Sequence, residues 1–195
     1  MYKNKLIYGI ITARGGSKSI PNKNIKKING KPLIYYSIAT SLKSKLIDRT
    51  IMSTDSSKIL ALGKKFNCEV PFLRPKKIAK DKSTDFEVFK HLSNWLKRND
   101  KRPSYYVHLR PTHPIRNYKI IDLAIKKLIE KKNYDSLRSL SVSKETPFKT
   151  WIKKNKGIVP IVKFKKIKDS HSIPRQILPK TYWQNGYVDI IKDST

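Results

Sequence analysis

At 195 residues with 38% hydrophobic content, the chain is long enough for one domain with a sizeable core, and no run of it approaches the ~18 apolar residues of a membrane span. Its one cysteine, Cys68, excludes a disulfide framework or a cysteine zinc cluster, suits a reducing cytoplasm, and reads as a small residue beside a strand. The formal charge of +30 excludes less: the cations are mostly lysine scattered over every predicted element, arginine occurs only nine times, and the lysine, isoleucine and asparagine content matches a coding bias toward A and T.

Leu6-Ile7-Tyr8-Gly9-Ile10-Ile11-Thr12 predicts a short buried strand. Met1 to Lys5 imitates the start of a signal peptide, but no small-residue cleavage site follows, so the run reads as a strand. It empties into Ala13-Arg14-Gly15-Gly16-Ser17-Lys18, continuing to Pro21, Lys23 and Asn24. Gly15 and Gly16 can take positive φ and let backbone N–H groups converge on an anion, with Arg14, Lys18 and Lys23 supplying charge. An ordinary turn is the other reading, and the spacing matches neither G-x-x-x-x-G-K-[ST] nor G-x-G-x-x-G.

Gly30-Lys31-Pro32 turns into a helix over Leu33 to Leu42 with Leu33, Ile34, Ser37 and Ile38 inward. Arg49 to Ser53 is a second strand, and Asp55 or Ser56 can cap the helix carrying Ile59, Leu62, Gly63 and Phe66. Glu69 to Leu73 reads as a third strand running into Arg74-Pro75. After a polar passage, Lys76 to Lys82, Ser83-Thr84-Asp85 opens a helix striped with Val88, Phe89, Leu92, Trp95 and Leu96. Tyr105 to Leu109 is a fourth strand delivering Arg110-Pro111-Thr112, and Asn117 to Lys132 a helix with Ile121, Ala124, Ile125, Leu128 and Ile129 inward. Ser136 to Val142 and Tyr187 to Ile191 read as further strands. Between them, Ser143 to Lys180 reads as hairpin and loop material laid over the core, a lid or a subunit contact.

Strands alternating with helices predict an α/β fold with a mainly parallel, Rossmann-like sheet, one domain over residues 1–195 with an insertion at 143–180. Ligands of such sheets bind outside the carboxyl ends of the strands. The motifs at Arg14, at Ser53-Thr54-Asp55, at Arg74 and at Arg110 all fall at such ends, although singly Ser-Thr-Asp reads as a helix cap and Arg-Pro as a solvated turn.

These segments together resemble the acylneuraminate cytidylyltransferase family of CMP-sugar synthetases. The resemblance rests on Ala13 to Lys18 with Ile20 to Asn24, Gly30 to Ile34, Ser53 to Asp55, Phe72 to Pro75 and Leu109 to Arg116. Pro147-Phe148-Lys149, Pro174-Arg175-Gln176 and Asn185-Gly186 resemble its sugar-side segments. It implies a nucleotide-diphospho-sugar transferase fold, and transfer of CMP from CTP to the anomeric hydroxyl of an acidic α-keto sugar such as a sialic or legionaminic acid. Such transfer needs in-line positioning and charge neutralisation.

By the same resemblance, Arg14, Ser17, Lys18 and Lys23 hold phosphates on the loop Ala13-Arg14-Gly15-Gly16, with Lys18 and Arg14 catalytic. Asn24, Arg74 and Ser83 serve the nucleoside, and Arg110 and Thr112 face the sugar. Lys149 and Arg175 are its carboxylate ligands, and Gln176 and Asn185 complete its pocket. A homodimer built through the insertion and a cytoplasmic location for surface polysaccharide synthesis are also implied. Mg²⁺ is expected, yet the family's acidic metal segment lies beyond the Asn-Gly strand and the sequence given ends at Thr195. Asp189 and Asp193 do not match that segment, the family often has Gln at the position of Arg110, and it has an aromatic residue shortly after Asn-Gly where Tyr187-Val188-Asp189 stands. The alternatives are another sugar nucleotidyltransferase, for example of the CMP-KDO type, or a non-catalytic basic protein that binds nucleic acid or another anion.

Overall fold

The computed structural model describes residues 1–131, 133–162, 169 and 171–194, in two units: Met1–Ser139 with Gly186–Thr195, and Leu140–Asn185. The first unit is built on β1 (Ile7–Thr12), whose residues are buried on both faces, as a central parallel strand requires. β4 (Arg49–Ser53) and β5 (Tyr105–His108) flank it in parallel, and β9 (Tyr182–Lys192) pairs antiparallel with β5, His108 facing Asp189. With β6 (Ser136–Val142) the sheet order is β4-β1-β5-β9-β6, a mixed sheet with a parallel centre.

Side chains alternate across β1. Ile7 and Ile11 join a core with Ile34 and Ile38 of α1 (Leu33–Lys43), Ile59 of α2 (Ser57–Lys65) and Ile121, Ile125 and Leu128 of α4 (Tyr118–Glu130). Tyr8 and Ile10 face the other way, onto Leu92 and Leu96 of α3 (Asp85–Asn99). Three helices therefore cover one face and one helix the other. Gly9 lies against α1: a Cβ there would stand 2.2 Å from Ser41 Oγ.

The helices α2, α3 and α4 start at side-chain caps. Ser56 Oγ accepts from Ile59 N, Asn117 from Lys119 N, and Thr84 forms a reciprocal capping box with Glu87. Asn117 is thus a cap rather than the first turn of α4, and Lys132, the expected end of that helix, lies outside the described residues. The turn before α1 is a small hairpin, β2 (Lys27–Ile28) with β3 (Lys31–Pro32), in which Asn29 and Gly30 both take positive φ, as a tight two-residue turn demands.

The third strand is a correction. Glu69 to Leu73 makes only two isolated bridges to the β4 edge, Ile51 with Glu69 and Thr54 with Leu73. Pro71 lies between them and has no N–H for a continuous ladder. The pairing still carries the chain to Arg74, whose N–H donates to Thr54 O at 2.7 Å. Cys68 is buried beside this segment, and burial pushes its thiol up to about 12.

The second unit holds the hairpin β7 (Trp151–Lys154) with β8 (Gly157–Pro160). Its Arg175 donates to Ser143 O and its Asn185 to Ser141 Oγ. Of the expected insertion, residues 163–168 and 170 lie outside the described residues.

Candidate active site

Because β4, β1 and β5 are adjacent and parallel, their carboxyl ends meet along one rim. A cavity of about 220 Å³ opens there. Arg14, Ser17, Lys23 and Asn24 line it from the loop after β1, Arg74 and Ser83 from the segment before α3, and Arg110 and Thr112 from the loop after β5. Eight of the residues expected from the sequence are thus brought to one cavity. Lys18 is not in its wall: the side chain is 82% exposed and its Nζ lies 2.6 Å from Asp81. Lys149, Arg175, Gln176 and Asn185 belong to the second unit, where the first three are exposed.

The glycine pair works differently from the expectation. Neither Gly15 nor Gly16 takes positive φ, and the Gly15 N–H donates to Asp55 Oδ1 at 2.9 Å. Gly15 allows a close approach instead, since a Cβ would meet Ser56 Cβ at a tight 3.1 Å. Gly16 has nothing within 4 Å of such a Cβ. Ala13, wholly buried, donates its N–H to Ser53 O, and Asn24 Nδ2 donates to Arg14 O at 2.8 Å, so the loop is tied at both ends.

The cations differ in their surroundings. Arg74 is buried, which pushes its pKa down; its Nη2 lies 3.8 Å from Asp55, and its Nε has no hydrogen-bond partner among the described residues. A buried donor left open in a cavity wall is a place for a ligand acceptor. Arg110 is held between Asp85, 2.6 Å away, and Asp189, whose other oxygen lies 3.4 Å from Arg138. Arg116 is turned inward: it donates to Tyr187 O, Ser37 Oγ and Arg110 O, fastening the loop that carries Arg110 and Thr112. Burial lowers Arg116 to about 10.

Three residues at the site escaped the sequence reading. Asp81 binds Arg14 at 2.9 Å as well as Lys18, and the Lys18 ammonium holds its carboxyl below the usual carboxylate range. Asp85 was read only as a helix start. His108, on β5, is buried with Nε2 2.9 Å from Thr12 Oγ1, and burial, with Arg110 nearby, drives its pKa down to about 4. It lines a second cavity, of about 470 Å³, that shares Asp85 and Arg110 with the first and is walled by Phe86 and Phe89 of α3. The available signal for Asp81 and Asp85 was that a chain with 14 acidic residues places two of them around a Ser-Thr pair.

Asp55, Asp81, Asp85, Asp189 and Asp193 each already take a guanidinium or ammonium. Among the described residues no three His, Cys, Asp or Glu side chains gather as a metal-binding group.

A parallel-centred sheet with a cationic cavity at its strand ends is the arrangement in which open α/β sheets receive ligands. The cytidylyltransferase family model matches residues 8–176, and the chain belongs to that family. It is 36% identical over 121 residues to the pseudaminic acid cytidylyltransferase of Campylobacter jejuni, covering 62% of this chain and 52% of that protein. It is 31% identical over 186 residues to the post-translational flagellin modification protein B of Campylobacter coli, covering 93% and 75%. Its fold is similar to that of a CMP:2-keto-3-deoxy-manno-octonic acid synthetase solved with CTP, with TM-score 0.68 at 14% identity over 96% of this chain and 74% of that one. The chain spans about half the length of the pseudaminic acid cytidylyltransferases it matches.

Proposed function

We propose that this protein is a nucleotidyltransferase that transfers CMP from CTP to the anomeric hydroxyl of an acidic α-keto sugar of the nonulosonic type, releasing pyrophosphate. The observation that carries this reading is the convergence of Arg14, Lys23, Arg74 and Arg110 on one rim cavity in a chain of the cytidylyltransferase family.

In the transfer the sugar oxygen bonds to the α-phosphorus as the bond to the departing pyrophosphate breaks. The protein's part is to hold the two in line and to neutralise charge that grows on the leaving group. In this reading Arg14, Lys18, Lys23 and Ser17 hold the triphosphate over the loop Ala13-Arg14-Gly15-Gly16, with Lys18, outside the cavity wall, more exposed than Arg14. Arg74, with its open Nε, and Asn24 and Ser83 beside it form the nucleoside end. Thr112 and the Arg110 that Asp85 and Asp189 fix in place form the sugar end. Lys149, Arg175, Gln176 and Asn185 are assigned to the sugar by family resemblance.

Mg²⁺ enters this reading as the ion accompanying CTP. A homodimer through the second unit is supported by the large apolar side chains that unit exposes, among them Ile152, Ile158, Ile161, Ile177 and Trp183. No helix among the described residues is long and apolar enough to cross a membrane, and a cytoplasmic location is part of the proposal.

The test is a panel of keto sugar acids, including sialic, legionaminic, pseudaminic and eight-carbon acids, incubated with each nucleoside triphosphate and Mg²⁺ and scored for pyrophosphate. Release with CTP and a nine-carbon acid is expected. Release with another triphosphate, or with the eight-carbon acid alone, would move the assignment to a different sugar nucleotidyltransferase. No release, with binding of anionic polymers that falls steeply with salt, would replace the enzyme reading by that of a basic binding protein.

A further inference from the structure

The two cations at the tip of the glycine loop are bound to a carboxylate of the protein itself. Arg14 Nη1 lies 2.9 Å from Asp81 Oδ1 and Lys18 Nζ 2.6 Å from Asp81 Oδ2, so one carboxylate uses each of its oxygens on a different cation. This bridge joins the loop after β1 to the segment before α3. The turn carrying Asp81 is shallowly attached: Lys80 to Lys82 are exposed, and the turn closes on itself through Lys80 N to Ser83 Oγ and Ser83 N to Lys80 O. It contributes no buried side chain that would resist its displacement. The next cation along the wall, Arg74, is buried with its Nε open.

We propose that Asp81 is a surrogate anion, a positioning residue that holds Arg14 and Lys18 together and that an incoming polyphosphate must displace. The inference rests on the triphosphate reading of the cavity. Two like-charged side chains on one short loop repel each other and would otherwise spread into solvent. A carboxylate between them keeps them convergent at the spacing of two anionic oxygens. Polyphosphate replaces it because it offers more charge and more acceptors to the same cations, and reaches Arg74 as well. The turn then carries Asp81 outward, since its negative charge cannot remain beside the phosphates.

The displacement lowers apparent affinity. An exposed ion pair changes an equilibrium constant by up to roughly fivefold, so removing the carboxylate charge is expected to tighten polyphosphate binding on the order of twofold to fivefold. Inorganic tripolyphosphate without divalent metal is the probe, titrated calorimetrically into the wild type and into Asp81→Asn, Asp81→Ser and Asp81→Glu, with CTP in a parallel series. Tighter binding to the Asn and Ser variants and wild-type affinity in the Glu variant are expected, with unchanged circular dichroism. Equal or weaker tripolyphosphate binding in both folded neutral variants overturns the proposal. Two neutral variants keep the test decisive if one misfolds. Should tripolyphosphate tighten while CTP binds no better than ATP or GTP to any form, the surrogate anion stands and the CTP reading falls.

Discussion

At the residue scale, the site separates cations by what they are already bound to. Arg110 and Arg116 stand six residues apart in one motif, yet Arg116 is consumed by Tyr187 O, Ser37 Oγ and Arg110 O while Arg110 sits between two acids. Lys18, 82% exposed and held among the described residues only by Asp81, is the cation that can follow a moving charge. Lys18→Ala is therefore expected to lower kcat on the order of 100-fold while CTP affinity changes far less, because its charge matters most as the leaving group forms; steady-state kinetics beside equilibrium CTP binding separates the two, and equal losses would make Lys18 a binding residue only.

His108 yields a pH prediction. Its folded pKa of about 4 lies below the ordinary 6.5, so the unfolded chain takes up the proton first. The stability it contributes is fully present above pH 6.5 and is lost as pH falls toward 4, by up to about 3 kcal/mol at 1.4 kcal/mol per unit. That value is the balance of burial and Arg110, which lower it, against Asp85 and Asp189, which face the ring and raise it. Denaturant midpoints between pH 7 and pH 4.5 should drop in the wild type and drop less in His108→Gln; parallel curves would place the acid sensitivity elsewhere.

At the scale of elements, the glycines of β1 and its loop have opposite expectations. Gly9→Ala puts a Cβ into Ser41 Oγ, which shares a 2.7 Å hydrogen bond with Thr50 Oγ1 between α1 and β4. It is expected to lower stability by about 1–3 kcal/mol in urea unfolding. Gly16→Ala meets nothing and needs no positive φ. Its stability should stay within about 0.5 kcal/mol of wild type, while CTP binding weakens because a phosphate lying on the loop would meet the new methyl group. Unaltered CTP binding would show that Gly16 faces away from the ligand. Helix starts were readable from local pattern because a cap is a contact between residues two or three apart, as Thr84 with Glu87 shows. The third strand was misread because apolar content alone does not show that Pro71 interrupts the ladder.

At the scale of the whole molecule, the charge of +30 and the exposed apolar side chains of the second unit bear on association. If that unit joins two copies, sedimentation should give a dimer, and Ile158→Asp with Trp183→Asp should shift it toward monomer without loss of secondary structure. A wild type that sediments as a monomer would remove the dimer from the proposed function. The net charge should make CTP binding weaken with salt, but by a slope set by the few cations of the rim rather than by all 44 lysines and arginines.

The sequence by itself determined the alternation of strands and helices, the caps of three helices, the placement of Arg14 and Arg110 after strand ends and that of Arg74 after an extended run, because each is written in short-range periodicity or in chain order. Tertiary structure alone decided which cations are held and by which acids. Asp81 meets Arg14 and Lys18 across more than 60 residues of chain, and Asp189 meets Arg110 across 79. No local pattern records such pairs: an ion pair depends on the distance between charges in space, and that distance exists only once β1, β5 and β9 lie side by side.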